Sequence, residues 1–392
     1  MPSDFQRSLE LELDDGLREL EAKGQRRRLA EIRGVNLCSN DYLGLAENAE
    51  LKEAAMAALR ESTRTGGTGS RLLSGHAQAW DELEEEFAAF AGTEAALYFG
   101  SGYAANIGLL TSLLRKDDVV FSDELNHASL IDGIRLSGAE KVILPHLDLD
   151  AMEAALIDYS GERCRKIIVT ESVFSMDGDV ADVSALVRLA EKYGAGVIVD
   201  EAHATGVHGP SGRGMVTAAG HARDVAATVH TCGKALASAG AFVCGTAALR
   251  EHLVNHARTF IFSTALPPGM AGQIRAAMRL AAGMDAERAA LRTRAREFAA
   301  ALREDGWDLS GSTTQIVPVV IGGNEQAVSA ADHLQQQGFA VRAIRPPTVP
   351  EGRARLRFSI TSAIGPESLA RLHDALEGWR ARNGSHTTVA RA

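Results

Sequence analysis

Seven short apolar runs punctuate the chain from residue 95 onward: AALYF, DVVFSD, KVILP, KIIVTES, GVIVDEAH, AATVHT and GAFVCGT. Polar or glycine-containing turns bound them, and segments with helical patterning separate them. Near-continuous apolar runs suit strands buried on both faces. Their alternation with helices predicts an α/β fold with a mainly parallel, seven-stranded sheet covered on both sides.

The pattern then changes. Residues 268–303 form a long Ala- and Arg-rich helical stretch, after which IVPVVIG, FAVRAIR and ARLRFSIT read as strands interleaved with helices near 325–337 and 366–381. This predicts a smaller α+β domain. At the other end, Phe5, Leu9, Leu13, Leu17 and Leu20 recur near helical spacing, and the segment closes on Arg26, Arg27 and Arg28. It reads as an amphipathic arm that packs its apolar face and leaves a solvated basic tip. The expected division is an arm and substrate-binding segment over 1–48, a major domain over 49–280 and a C-terminal small domain over 281–392. The tail NGSHTTVARA has little to bury and is expected to fray.

Composition narrows the function classes. A chain of 392 residues with 45% hydrophobic content can bury more than one simple domain's core. A net charge of −10 argues against general attraction to nucleic acid or anionic membrane, so an anionic substrate must meet a local basic patch. Cys38, Cys164, Cys232 and Cys244 form no CxxC pair, and the N-terminus lacks a signal-peptide pattern, which together predict a reduced, cytoplasmic protein. No run approaches the roughly 20 apolar residues that cross a bilayer.

Ligands of open parallel sheets bind beyond the carboxyl ends of the strands, so polar residues that follow the apolar runs are the candidates. GVIVDEAH places Asp200 and His203 there. A carboxylate in that position is costly unless it meets a cation, although a helix cap or a salt bridge would explain it equally well. HTCGKALASAG sets Lys234, one of seven lysines against 34 arginines, among small residues. Desolvation there would lower its pKa toward a nucleophile or base; a snorkelling surface lysine is the alternative. FGSGYAAN offers Gly100, Ser101 and Gly102 at a strand-to-helix turn where a phosphate could meet free N–H groups, though many such turns look similar. SDELNHAS and ESVFSMDGD add the His127 ring and the Ser175 hydroxyl. His203 and His208 could join a carboxylate on zinc, but HATGVH is a glycine-containing loop rather than an HExxH helix, and metal binding is set aside. A serine-hydrolase GxSxG elbow is absent from the sequence.

Taken together, these motifs resemble the α-oxoamine synthase family of fold-type I pyridoxal phosphate enzymes, from SNDYLGL at 39 to RARLRFSIT at 353. By that resemblance Lys234 would hold pyridoxal 5′-phosphate, Asp200 would keep its ring nitrogen protonated, and His127 would stack on the ring and serve both catalysis and substrate. His203 and Ser175 would bond near the phenolic oxygen. Gly102, Tyr103 and Thr231 would help hold the cofactor and its phosphate. Ser263 and Thr264 would reach the phosphate of a neighbouring subunit, which implies a homodimer. Arg357 resembles the amino-acid carboxylate clamp, whose planar fork suits that group. Arg26 and Thr348 resemble substrate contacts.

Within the family, IRPPTVP at 344–350 is most similar to the branch that condenses L-alanine with a pimeloyl thioester, on coenzyme A or a carrier protein, at the start of biotin ring assembly. A sister activity with glycine and an acetyl or succinyl thioester is the alternative, and aminotransfer on the same fold a more distant one. A DNA-reading regulator would need a basic helix-turn-helix before SNDYLGL, and no segment fits. Ala204 stands where the family usually has Gly, Trp80 where His is frequent, and Cys232 beside Thr231. None of these removes a proposed catalytic group.

Overall fold

In the computed structural model, which describes residues 3–29 and 31–383, all seven apolar runs are strands of one sheet. In chain order the strands are β1 (Val35–Asn36), β2 (Ala95–Phe99), β3 (Val119–Asp123), β4 (Glu140–Leu144), β5 (Lys166–Glu171), β6 (Ala195–Asp200), β7 (Ala227–Thr231) and β8 (Ala241–Gly245). They are followed by β9 (Ile316–Gly322), β10 (Phe339–Ala340), β11 (Ala343–Ile344) and β12 (Ala354–Ser359). The large sheet runs β2-β8-β7-β6-β5-β3-β4, and only β8 opposes the common direction.

Burial explains the run composition. β3 and β5 are buried along their whole length, whereas β4, at the sheet edge, exposes Glu140 and Lys141. Charged edge residues discourage pairing with another chain. On one face, Leu109, Leu110, Leu130 and Ile134 of helices Gly102–Leu113 and Ala128–Ser137 pack against Leu97, Val120 and Val169. On the other, Met152, Leu156, Leu186 and Val187 of Leu149–Asp158 and Val183–Tyr193 cover Phe121, Ile168 and Val197. Helices are started by Ser101, His127, Asp148 and Asp182, each accepting a backbone N–H of the first turn.

The small domain is a three-stranded antiparallel sheet, β11-β12-β9, with helices including Asp285–Glu304, Asn324–Gln336 and Pro366–Asn383. It shares an apolar core with the large domain that runs from Trp80, Phe87 and Phe242 to Leu291, Phe298 and Phe358. β1 pairs in parallel with β10, joining the segment after the arm to the C-terminal part of the chain.

Three sequence expectations need adjustment. The helical stretch over 268–303 is two helices, Gly269–Gly283 and Asp285–Glu304. The break is stabilised by the buried Arg288 guanidinium, which donates to the Ala281 and Ala282 carbonyls at the end of the first helix and to Asp285. FAVRAIR is not one strand: β10 pairs with β1 and β11 with β12, so the two halves serve different sheets. The arm is a helix over Asp4–Ala22, begun by a Ser3/Gln6 capping box, but no residue of it is buried and its apolar face stands exposed. The tail after Asn383 lies outside the described residues. No described helix is long and apolar enough to cross a membrane.

Gly240 ties the fold to the loop that carries Lys234. Its φ is +81°, and a Cβ there would fall 2.1 Å from the Tyr98 hydroxyl, which donates to Ala239 O at 2.8 Å. Tyr98 is in turn stacked on Trp80, with ring centroids 4.6 Å apart. Gly240→Ala should therefore lower the unfolding free energy by about 2 kcal/mol, measured by urea titration; wild-type stability would contradict the clash.

Candidate active site

The carboxyl ends of β3, β5, β6 and β7 and the turn after β2 converge on a cavity of about 310 Å³. The turn supplies Ser101 and Gly102, the segment after β3 supplies His127, and the ends of β5, β6 and β7 supply Glu171, Asp200 and Thr231. The loop between β7 and β8 contributes Lys234 and Gly240, and Asn40, Tyr103, Asn106 and Ser129 complete the polar wall. Seven of the predicted residues, Ser101, Gly102, Tyr103, His127, Asp200, Thr231 and Lys234, thus line one cavity.

Asp200 is buried, and each of its oxygens has one protein donor: Ala202 N at 2.8 Å and Asn106 Nδ2 at 2.7 Å. Glu171 lies beside it in register on the neighbouring strand, also buried, with Oε1 unpartnered. Burial first, then the charge of Asp200, push the Glu171 carboxyl up to about 8, which leaves it neutral near pH 7. Lys234 is partly buried and opens on the cavity. Loss of hydration brings its amine down to about 8, Arg357 adding to the effect and Asp200 and Glu171 opposing it.

Both histidines are held neutral. His127 Nδ1 accepts Ser129 N at 3.2 Å and lies 2.7 Å from the Ser129 hydroxyl. Burial lowers its pKa, with Lys234 acting in the same sense and Asp200 against. His203 Nδ1 meets the Tyr42 hydroxyl at 2.7 Å, and burial plus the nearby Lys234 and Arg357 charges keep it well below the usual histidine range.

Arg357 sits just behind the cavity. Both terminal nitrogens reach Asn40 Oδ1 at 3.2 Å, Nη1 also donates to Ser359 Oγ at 2.7 Å, and Nε donates to the Ser175 carbonyl. Ser175 contributes that backbone oxygen and is not part of the cavity wall. Ser263 and Thr264 line an adjoining cavity of about 240 Å³ that shares Ser101 with the first. Arg26 is ion-paired to Glu21 at 3.1 Å, while Thr348 accepts from Arg27 at 3.3 Å; neither lines the main cavity.

Sequence reasoning passed over Glu171, Asn106 and Asn40. Each stood inside a quoted segment, KIIVTES, FGSGYAAN or SNDYLGL, and the position just after a buried strand was the available signal for Glu171. Away from this site, Asp305, His373 and Glu377 lie close enough together to share a cation. Asp305 already meets His373 at 2.6 Å, and Glu377 accepts Trp307 Nε1 at 2.7 Å.

The residues present fit pyridoxal phosphate. The wall combines a depressed primary amine, a carboxylate with lone pairs to spare, a neutral imidazole and a helix N-terminus. These match, in turn, an aldehyde, a pyridine nitrogen, an aromatic face and a phosphate. Gly102 is needed at the helix start, since a Cβ there would lie 2.6 Å from Thr231 Cγ2. The unpartnered Glu171 Oε1 and Asn106 Oδ1 are polar atoms that a polar ligand would satisfy.

Comparisons with known proteins agree. A sequence profile of the class I and II aminotransferase family matches residues 32–376. A Geobacter sulfurreducens protein described as 8-amino-7-oxononanoate synthase is 48% identical over 341 residues, covering 86% of each chain. One from Citrifermentans bemidjiense with the same description is 45% identical over 350 residues, covering 89% of each. Among solved structures, a lysine-to-alanine variant of serine palmitoyltransferase from S. paucimobilis with a bound PLP–myriocin aldimine has a TM-score of 0.86 at 28% identity, covering 94% of this chain and 96% of its own. The 8-amino-7-oxononanoate synthase of Francisella tularensis has a TM-score of 0.76 at 28% identity, covering 88% and 97%.

Only the neutral amine is nucleophilic, so cofactor capture by the unloaded protein should accelerate as pH rises toward about 8 and level off above it. Stopped-flow absorbance with pyridoxal phosphate reads this directly. A rate still climbing steeply above pH ~10, as for an ordinary lysine, would contradict the depressed amine.

Proposed function

Since the chain belongs to the 8-amino-7-oxononanoate synthase family, within the class I and II aminotransferases, we propose that it joins L-alanine to a pimeloyl thioester with release of carbon dioxide and free thiol. It is a pyridoxal phosphate-dependent acyl-transferring enzyme. The observation that carries the substrate reading is the single cavity that joins Lys234, Asp200 and His127, with Arg357 behind Asn40 at its wall.

When bound, pyridoxal phosphate supplies an electron sink at the amino-acid α-carbon. Asp200 would hold the ring nitrogen protonated: its two oxygens are oriented by Asn106 and Ala202, and a buried carboxylate favours a cationic partner. Lys234, with an amine tuned to about 8, is suited both to hold the cofactor and, once released, to take the α-proton. Arg357 would orient the alanine carboxylate, the group that later departs as carbon dioxide. His127 would cover the ring and move protons after acyl transfer. His203, held neutral against Tyr42, and the Ser175 segment would border the phenolic oxygen.

Gly102, Tyr103 and Thr231 would hold the phosphate side, with Ser263 and Thr264 of a second subunit completing it in a homodimer. Arg26 and Thr348 would meet the acyl substrate, whose carrier is coenzyme A or an acyl carrier protein. The reaction would take place in the cytoplasm as the start of biotin ring assembly.

Purified enzyme with L-alanine and pimeloyl-CoA should release thiol and yield 8-amino-7-oxononanoate by mass, with glycine and acetyl-CoA as a parallel pair. Product with glycine alone would move the chain to a sister activity. Lys234→Ala should lose turnover by a factor of at least about 10³ while keeping the wild-type circular dichroism spectrum; normal turnover would overturn its role.

A further inference from the structure

The turn formed by residues 174–179 bridges the two domains at the substrate site. Its ends are closed by the Val173–Val180 bridge and by Phe174 N to Asp179 O at 3.1 Å. From the small domain, Arg357 Nε donates to the Ser175 carbonyl. Arg355 donates to the Met176 carbonyl at 3.2 Å and to Asp177 at 2.6 Å, and Thr314 donates to Gly178 O at 2.8 Å. The Ser175 carbonyl, the partner of Nε, thus shares with Asn40 and Ser359 in setting the direction of the Arg357 guanidinium.

On the large-domain side the turn is held by His146, which follows β4. His146 Nδ1 faces both oxygens of Asp123, at 2.9 and 3.0 Å, and Nε2 faces Asp179 Oδ2 at 2.8 Å. Carboxylate oxygens only accept, so both ring nitrogens carry protons and the ring is an imidazolium. Burial alone would lower its pKa, but the hydrogen bonds and charges of Asp123 and Asp179 prevail and raise it to about 10. The ring also stands edge-on to Phe174, with centroids 4.5 Å apart. The next residue, Leu147, sits at φ +55°, a strained setting for a branched side chain, and its N–H is held by Asp123 Oδ2 at 2.9 Å. A charged clamp and a strained backbone thus converge on one loop contact, and none of these residues lines the catalytic cavity.

We propose that His146 is a positioning residue for the amino-acid substrate: clamped between Asp123 and Asp179, it anchors the 174–179 turn whose Ser175 carbonyl aims Arg357 at the substrate carboxylate. The proposal rests on the reading of Arg357 given above. Loosening the clamp lets the turn, and the guanidinium with it, shift by a fraction of an ångström. The cofactor pocket and the acyl-binding surface should be spared.

The test uses the cofactor-loaded enzyme and three variants, Arg357→Lys, His146→Gln and Asp179→Asn. Kd for L-alanine is read without thioester from the change in cofactor absorbance, alongside KM for the thioester and the fraction of cofactor retained. His146→Gln and Asp179→Asn are each expected to weaken L-alanine binding about tenfold, with thioester KM and cofactor retention near wild type. Asp179→Asn preserves shape and decides the matter should His146→Gln fail to fold. If Arg357→Lys leaves alanine affinity unchanged, the reading of Arg357 fails and the proposal falls with it. If Arg357→Lys weakens alanine while the clamp variants bind it normally, the reading stands and the clamp is overturned. Equal losses for alanine, thioester and cofactor in the clamp variants would reduce His146 to general scaffolding and overturn the proposal as well.

Discussion

Parallel pairing of β5 with β6 sets Glu171 and Asp200 side by side at the buried end of the sheet, and the surrounding polar groups answer that electrostatic problem. Two carboxyl groups at such spacing resist sharing negative charge. One of them, Glu171, is pushed toward the neutral form, and the other is braced by Asn106 and the Ala202 amide. The amine that offsets them, Lys234, is brought down to about 8 by lost hydration and keeps most of its charge near pH 7. Asp200 itself accepts only from Asn106 and the Ala202 amide, and a cationic heterocycle is the kind of guest that suits a buried carboxylate. Family membership and local electrostatics lead to the same cofactor by separate routes.

The sheet was legible in the sequence because its strands are buried on both faces and read as uninterrupted apolar runs. Lys234 and Asp200 were legible as chemistry in awkward company: a lysine among small residues, a carboxylate after four apolar positions. FAVRAIR looked continuous because its split is decided by its partners, β1 near the start of the chain for one half and the following strand β12 for the other. Likewise the helix break at Met284 depends on Arg288 turning back to the last carbonyls of the preceding helix, which the hydrophobic pattern does not announce. Glu171, Asn106 and Asn40 are ordinary polar letters whose role depends on strand register and on what faces them. Arg26, Arg357, Ser263, Thr264 and Thr348 came only by resemblance. Of these, the fold sets Arg357 against the cavity wall through Asn40, and Ser263 and Thr264 beside it through the shared Ser101. Arg26 and Thr348 stay with the arm.

The joint between the two sheets is polar beside the Lys234 cavity and apolar behind. Arg355 and Arg357, both on β12, are satisfied by carbonyls and a carboxylate of the 174–179 turn, while Phe298, Phe358 and their neighbours fill the core beneath. Guanidinium groups suit this position because a rigid, planar donor fork can hold backbone oxygens with some N–H groups and keep others for a carboxylate.

The pairing of β1 with β10 bears on how the molecule is made. Val35 stands opposite Phe339 and donates its N–H to Gly338 O at 2.9 Å, and nearby Arg345 donates to Gly24 O, yet synthesis delivers one side of this contact long before the other. The strands of the large sheet follow one another closely along the chain and can collapse as they emerge. The early segment has no β-partner until the last part of the chain appears, and loop closure over that span must be met before the contact repays it. The edge of the small domain is therefore a seam closed last, and docking of the N-terminal segment is reserved for chains synthesised through their C-terminal strands.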